Sequence, residues 1–157
     1  MRKQERYSLV FEKLGKLFPQ ADTELNYNSA FELLVAVILS AQCTDKRVNM
    51  VTPALFERYP TVESLAQSSE EEILSYIKSI SYPNAKSRNL KKMAERLHEV
   101  YNDEIPSDIE QLQTLAGVGR KTALVMAAVL YKKAVMPVDT HVHRVSARIG
   151  LTSGAKN

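Results

Sequence analysis

Gly117 and Gly119 flank a single valine, and Arg120 and Lys121 follow at once. Glycines at this spacing let the backbone turn tightly and leave its N–H groups uncovered. With the positive end of a helix opening at Arg120, those groups form an anion site, and a phosphate is the natural guest. Upstream, Leu112 and Leu115 end an apolar helix, so about 107–131 reads as helix, glycine hairpin, helix. That module grips nucleic-acid backbone without reading bases. The glycines would equally serve to cap one helix and start the next. The basic pair weighs against so plain a role, because cations at a helix N-terminus oppose its dipole.

A lysine ordinarily holds its proton at neutral pH, with a reference pKa of about 10.4. Lys121 stands beside Arg120, at a positive helix end and in a position expected to be partly buried against the hairpin, and all three effects loosen that proton. As a neutral amine it could attack a sugar or carbonyl carbon and form a Schiff base. A single phosphate contact, or plain solvation, suits the same position, and the residues alone leave the readings open. Asp139 lies eighteen residues on, past one helix and a proline turn. There it could hold Lys121, receive its proton, or stabilise positive charge developing on a sugar. It also suits the N-cap of the last helix, and the two roles are compatible. His141 and His143 are two apart on that helix, so they point in different directions and make no metal pair. They read as structural or phosphate-facing.

The elements that must position these groups are helical nearly throughout, with no period-2 pattern. Tyr7, Val10, Phe11, Leu14 and Leu17 recur at helical spacing between about Gln4 and Leu17. Phe31 to Ala41 is apolar almost all round, the mark of a helix buried at the centre of a domain. Thr44 or Asp45 suits the N-cap of a helix through Phe56, Thr61 a further cap, and Ser69 with Glu72 a capping box. Ser81 to Asn84 is a break, with Pro83 in the first turn of a helix ending near Tyr101. Pro106-Ser107 restarts a short helix before the hairpin. The helix from Arg120 to Tyr131 is expected to bury Ala123, Leu124, Ala127, Ala128 and Leu130, and Asp139 or Thr140 opens the last helix, which ends by Gly150. About nine short helices make an all-α fold of compact turns.

The 157 residues allow one domain or two small ones, with a soluble profile of 45% hydrophobic and 25% charged residues. The net charge of +3 says little, but its distribution says more. Residues 117–157 carry seven Lys and Arg against one acid, a net of +6, which leaves −3 on the first 116. Such asymmetry suits one surface built for a polyanion. One cysteine, Cys43, excludes a disulfide framework and a cysteine metal site within this sequence. No apolar run approaches the roughly 20 residues of a membrane span, and the reading is of an intracellular protein without a membrane partner.

Leu115 to Ala123, followed by Val138-Asp-Thr-His-Val-His-Arg-Val145, resembles the helix-hairpin-helix DNA glycosylases, and most closely the bacterial endonuclease III family. Phe31 to Asp45 resembles that family's central helix and the loop after it, and Tyr76 to Ile80 through Asn84-Ala-Lys86 its DNA-facing loop. The resemblance covers essentially the whole chain from about residue 5. It implies a six-helix domain over 22–134 and a partial second domain over 1–21 plus 135–157 that lacks the iron–sulfur segment. It implies a base-excision-repair glycosylase and abasic-site lyase that flips oxidised pyrimidines out of double-stranded DNA and cleaves by β-elimination. A mismatch- or dimer-specific glycosylase of the same fold, or a non-catalytic DNA-binding module, is the alternative. By the same resemblance Lys121 is the Schiff-base nucleophile and Asp139 the essential aspartate. Gln42 fills the gap left by the flipped nucleotide, and Tyr82 falls where an apolar wedge inserts. Lys86, Gly117, Val118, Gly119, Arg120, Thr140, His141 and Arg144 complete the expected DNA contacts. Three departures stand out: Ser81-Tyr82-Pro83 replaces the usual Gly-apolar-Tyr, Ala116 stands where proline is common, and the four cysteines of a [4Fe–4S] cluster are missing. The implied protein is a shortened, monomeric member of the family, its parent cluster-bearing and working in the bacterial cytoplasm on the nucleoid.

Overall fold

The computed structural model describes residues 2–153; Lys156 and the last residues of the expected second domain lie outside them. Nine helices and no strand occur among the described residues: α1 (Lys3–Leu17), α2 (Ala30–Ser40), α3 (Asp45–Arg58), α4 (Val62–Ala66), α5 (Glu70–Ile77), α6 (Pro83–Tyr101), α7 (Ile109–Leu112), α8 (Arg120–Val129) and α9 (Thr140–Arg148). None is long and apolar enough to cross a membrane. The chain divides into two compact units, one of residues 24–136 and one of residues 1–23 with 137–157.

The unit 24–136 is built on α2. Ser29 caps it by accepting the Glu32 N–H. Its eight buried residues, Phe31 and Leu33 through Leu39, leave no polar face, and α3, α6 and α8 pack against it. Burying each large apolar side chain of this kind is worth about 1.5–3 kcal/mol, so α2 is the main source of cohesion. Local signals set the other boundaries. Thr44 accepts from the Arg47 N–H, Thr61 and Ser69 form capping boxes with Ser64 and Glu72, and Pro83 opens α6. The Ser69 N–H bond to Glu72 holds that carboxyl below its usual range.

α8 differs from expectation in two ways. It ends at Val129, before Tyr131, because the chain turns through a left-handed Lys132 (φ 51°) and the Lys133 N–H returns to the Ala127 carbonyl. Its buried stripe is Ala123, Met126 and Ala127, while Leu124, Ala128 and Leu130 are only half-buried. Steps of three and four residues define one helix face, and Leu124 and Ala128 fall to its side.

In the other unit, α1 and α9 bury no residue fully. The Arg6 guanidinium donates to the Gly150 carbonyl (3.1 Å) and the Tyr7 hydroxyl to the Leu151 carbonyl (2.7 Å).

Candidate active site

The hairpin of residues 116–119 is fixed from beneath. The Val118 side chain is buried with Leu112 and Leu115, and its N–H donates to the Leu115 carbonyl (3.1 Å). This corrects the expectation that the turn leaves its N–H groups uncovered: the Val118 N–H is spent on Leu115 and its side chain anchors the hairpin to the core, while Gly119 stands open at the start of α8. Gly117 is required twice over. Its φ of 80° is left-handed, and a Cβ there would lie 3.1 Å from that of Asn89 and 3.3 Å from an Ile38 methyl carbon. Asn89, on α6, is thus a contact of the hairpin that sequence reading missed, since nothing in its local sequence marks it.

Gly119 is the N-cap of α8 and stands in open space, with no side-chain cap and no acid in the first turn. Helix starts normally satisfy their first N–H groups with Ser, Thr, Asp or Asn. Here that end has no such side-chain cap, and the exposed Arg120 and Lys121 add positive charge to it. Lys121 was expected partly buried. It is exposed, on a different face of α8 from the Ala123–Met126–Ala127 stripe.

Two findings follow from this bare helix end. First, the position is suboptimal for stability, as a functional site often is. Second, Gly119→Asp should separate fold from function. The carboxylate would cap α8 and complement its dipole, a gain of about 0.3–1 kcal/mol. In occupying and repelling from the anion site it should weaken binding to a DNA duplex by about a hundredfold. Thermal melting and a filter-binding titration measure the two signs.

In the other unit Asp139 is the N-cap of α9, accepting the Val142 N–H at 2.7 Å. Thr140 and His141 follow in the first turn, both exposed, and the Arg144 guanidinium lies 3.2 Å from His141 Nδ1. Thr140 and Arg144, four apart, share a helix face.

Two further turns lie in the unit 24–136. Gln42 and Tyr82 both adopt left-handed backbone, with φ of 54° and 53°. For residues with a Cβ this costs roughly 1–2 kcal/mol each. Gln42 is exposed in the turn after α2, and Tyr82 is 65% exposed at the N-cap of α6. Lys86 behaves unlike the DNA contact expected of it. It is 6% exposed, and its ammonium donates to the carbonyls of Leu39 (2.8 Å) and Ala41 (2.6 Å) and to the Ser81 hydroxyl (3.3 Å). A cation spent on three internal acceptors is not offered to a phosphate. Burial pulls its pKa down, with Cys43 acting weakly the other way, while the three acceptors stabilise the charged form.

The sequence model of the HhH-GPD superfamily base excision DNA repair protein matches residues 35–157. The chain is 45% identical over 151 residues to endonuclease III of Synechocystis sp. (strain ATCC 27184 / PCC 6803 / Kazusa), covering 96% of this chain and 69% of that protein. It is 43% identical over 147 residues to endonuclease III of Bacillus subtilis (strain 168), covering 94% and 67%. The chain belongs to the endonuclease III family. Its structure also matches, with a TM-score of 0.93 and 42% identity, that of a trapped endonuclease III–DNA covalent intermediate in an estranged-adenine complex, covering 100% of this chain and 73% of that one. The [4Fe–4S] cluster implied by resemblance to endonuclease III takes four thiolates. This sequence has one cysteine, and among the described residues no group of three or more His, Cys, Asp or Glu could hold a metal. These residues do not fit a cluster.

Proposed function

We propose that this endonuclease III family chain removes oxidised pyrimidines from duplex DNA through a Schiff base on Lys121 and then cleaves the strand by β-elimination. The chain is a base-excision-repair DNA glycosylase and lyase, with double-stranded DNA as its partner. The observation that carries the assignment of residues is the start of α8: an uncapped, acid-free helix end on a glycine hairpin, with Lys121 in its first turn. The hairpin end takes a phosphate of the damaged strand. The Lys121 Nζ attacks C1′ of the flipped nucleotide, the base departs with the C–N bonding electrons and gains a proton, and the sugar opens to the Schiff base. Loss of a C2′ proton then expels the 3′ phosphate. Asp139 stabilises the positive charge that develops on the sugar as the base leaves. Thr140, His141, Arg144 and Arg120 add phosphate contacts, and Gln42 and Tyr82 occupy the space the flipped nucleotide vacates. Extrusion is necessary because a stacked base is out of reach, and a damaged base costs less to extrude. The enzyme acts as a monomer in the bacterial cytoplasm, on nucleoid DNA. A [4Fe–4S] cluster would need ligands beyond these 157 residues.

The test is borohydride trapping on a duplex with a single abasic site. A covalent protein–DNA band is expected, and affinity for the same duplex should fall about tenfold or more between 50 and 200 mM salt as phosphate contacts release counterions. Absence of the band would overturn the lyase reading, and a flat salt response would overturn the phosphate contacts.

A further inference from the structure

Lys86 is the one buried ammonium in the unit 24–136, and the proposed chemistry does not use it. It stands in the first turns of α6, where the helix dipole disfavours a cation, yet its ammonium is directed at the last carbonyls of α2. Those carbonyls have no intrahelical partner, and α2 has no basic residue of its own in its last turn. Lys86 supplies the missing C-terminal cation from 45–47 residues away in sequence. The third acceptor extends the connection: the Ser81 hydroxyl, 3.3 Å from the Lys86 ammonium, itself donates to the Gln42 carbonyl at 2.8 Å. The Lys86 N–H also bonds to the Tyr82 carbonyl. One side chain and one hydroxyl therefore join the turn carrying Gln42 to the turn carrying Tyr82. Both are left-handed, and backbone strain of this kind persists only where the surroundings over-determine it.

We propose that Lys86 and Ser81 form a latch that holds the Gln42 and Tyr82 turns in one fixed arrangement, so that both side chains engage the duplex as a single preformed wedge. The inference rests on the function proposed above and assigns Lys86 and Ser81 as positioning residues. Its consequence is specific to opening the stack. An intact damaged base must be unstacked and its place filled before Lys121 can act, whereas an abasic site has no base to displace.

The test compares single-turnover base release from a duplex containing one thymine glycol with borohydride trapping on a duplex containing one abasic site. Lys86→Met keeps the length and apolar stem while removing the ammonium. Ser81→Ala removes only the hydroxyl bridge, at a partly exposed position where unfolding is not expected. Base release should fall roughly 10- to 30-fold in Lys86→Met and about threefold in Ser81→Ala. Abasic-site trapping should fall no more than about threefold in Lys86→Met and stay nearly unchanged in Ser81→Ala. A 2-aminopurine beside the lesion should lose its fluorescence rise in the same order. Equal losses on both duplexes in both variants, or no loss in either, would overturn the latch while leaving the lyase reading intact. No trapping by the unaltered chain would overturn that reading and the latch with it.

Discussion

Lys121→Gln is expected to abolish the trapped covalent band and to slow base release at least about a thousandfold. An amide nitrogen carries no available lone pair, so the substitution removes the nucleophile itself, and what survives is the catalysis that binding and electrostatics supply. Affinity for an abasic duplex should fall only several-fold, with the salt slope shallower by about one, as expected for one lost cation. Lys121 is exposed in the first turn of α8, where a cation opposes the dipole, and glutamine is nearly as good a helix former. A variant that loses several-fold in affinity and nothing in base release would mean that the hairpin binds backbone and Lys121 performs no covalent chemistry.

Asp139→Asn should reduce base release by about 100- to 1000-fold while keeping the cap of α9. Asparagine caps a helix as well as aspartate, so the bond now made from the Val142 N–H can be kept. Only the charge is lost, and through the dipole of α9 that costs about 0.3–1 kcal/mol. The charge is also what the proposed role in catalysis requires. Asp139→Ala forfeits the cap as well and should melt lower by about a further 1 kcal/mol. Measuring melting and base release on both variants separates the roles. Full activity in Asp139→Asn would reduce Asp139 to a helix cap.

What could be read from the sequence was what depends on near neighbours. The Ser69–Glu72 box, Pro83 at the head of α6 and Asp139 at the head of α9 each involve residues three or fewer apart, and their side-chain chemistry sets the backbone directly. The all-round apolar run of α2 announced its own burial. Where partners are distant, local pattern failed. Lys86 looked like a surface cation because its acceptors come from α2 and from the turn at Ser81. Nothing near Val118 in the sequence reveals that its side chain joins Leu112 and Leu115. Met126, rather than Leu124, is buried in α8 because the packing of neighbouring helices, not hydrophobicity alone, chooses the face. For the candidate site, residue types left the role of Lys121 open and the family resemblance named a chemistry for it, while the tertiary fold supplied the uncapped start of α8 and the left-handed turns at Gln42 and Tyr82.

The division of the chain carries a consequence for its synthesis. The unit 24–136 is continuous, so a ribosome delivers all of it in one run. The other unit is not: Arg6 and Tyr7 bond to carbonyls 144 residues later, at Gly150 and Leu151. Until those residues emerge, α1 cannot make these bonds. Long-range closure of this kind is slow. The expected order on the ribosome is therefore inside-out: residues 24–136 fold first, and α1, although made before them, is secured after them.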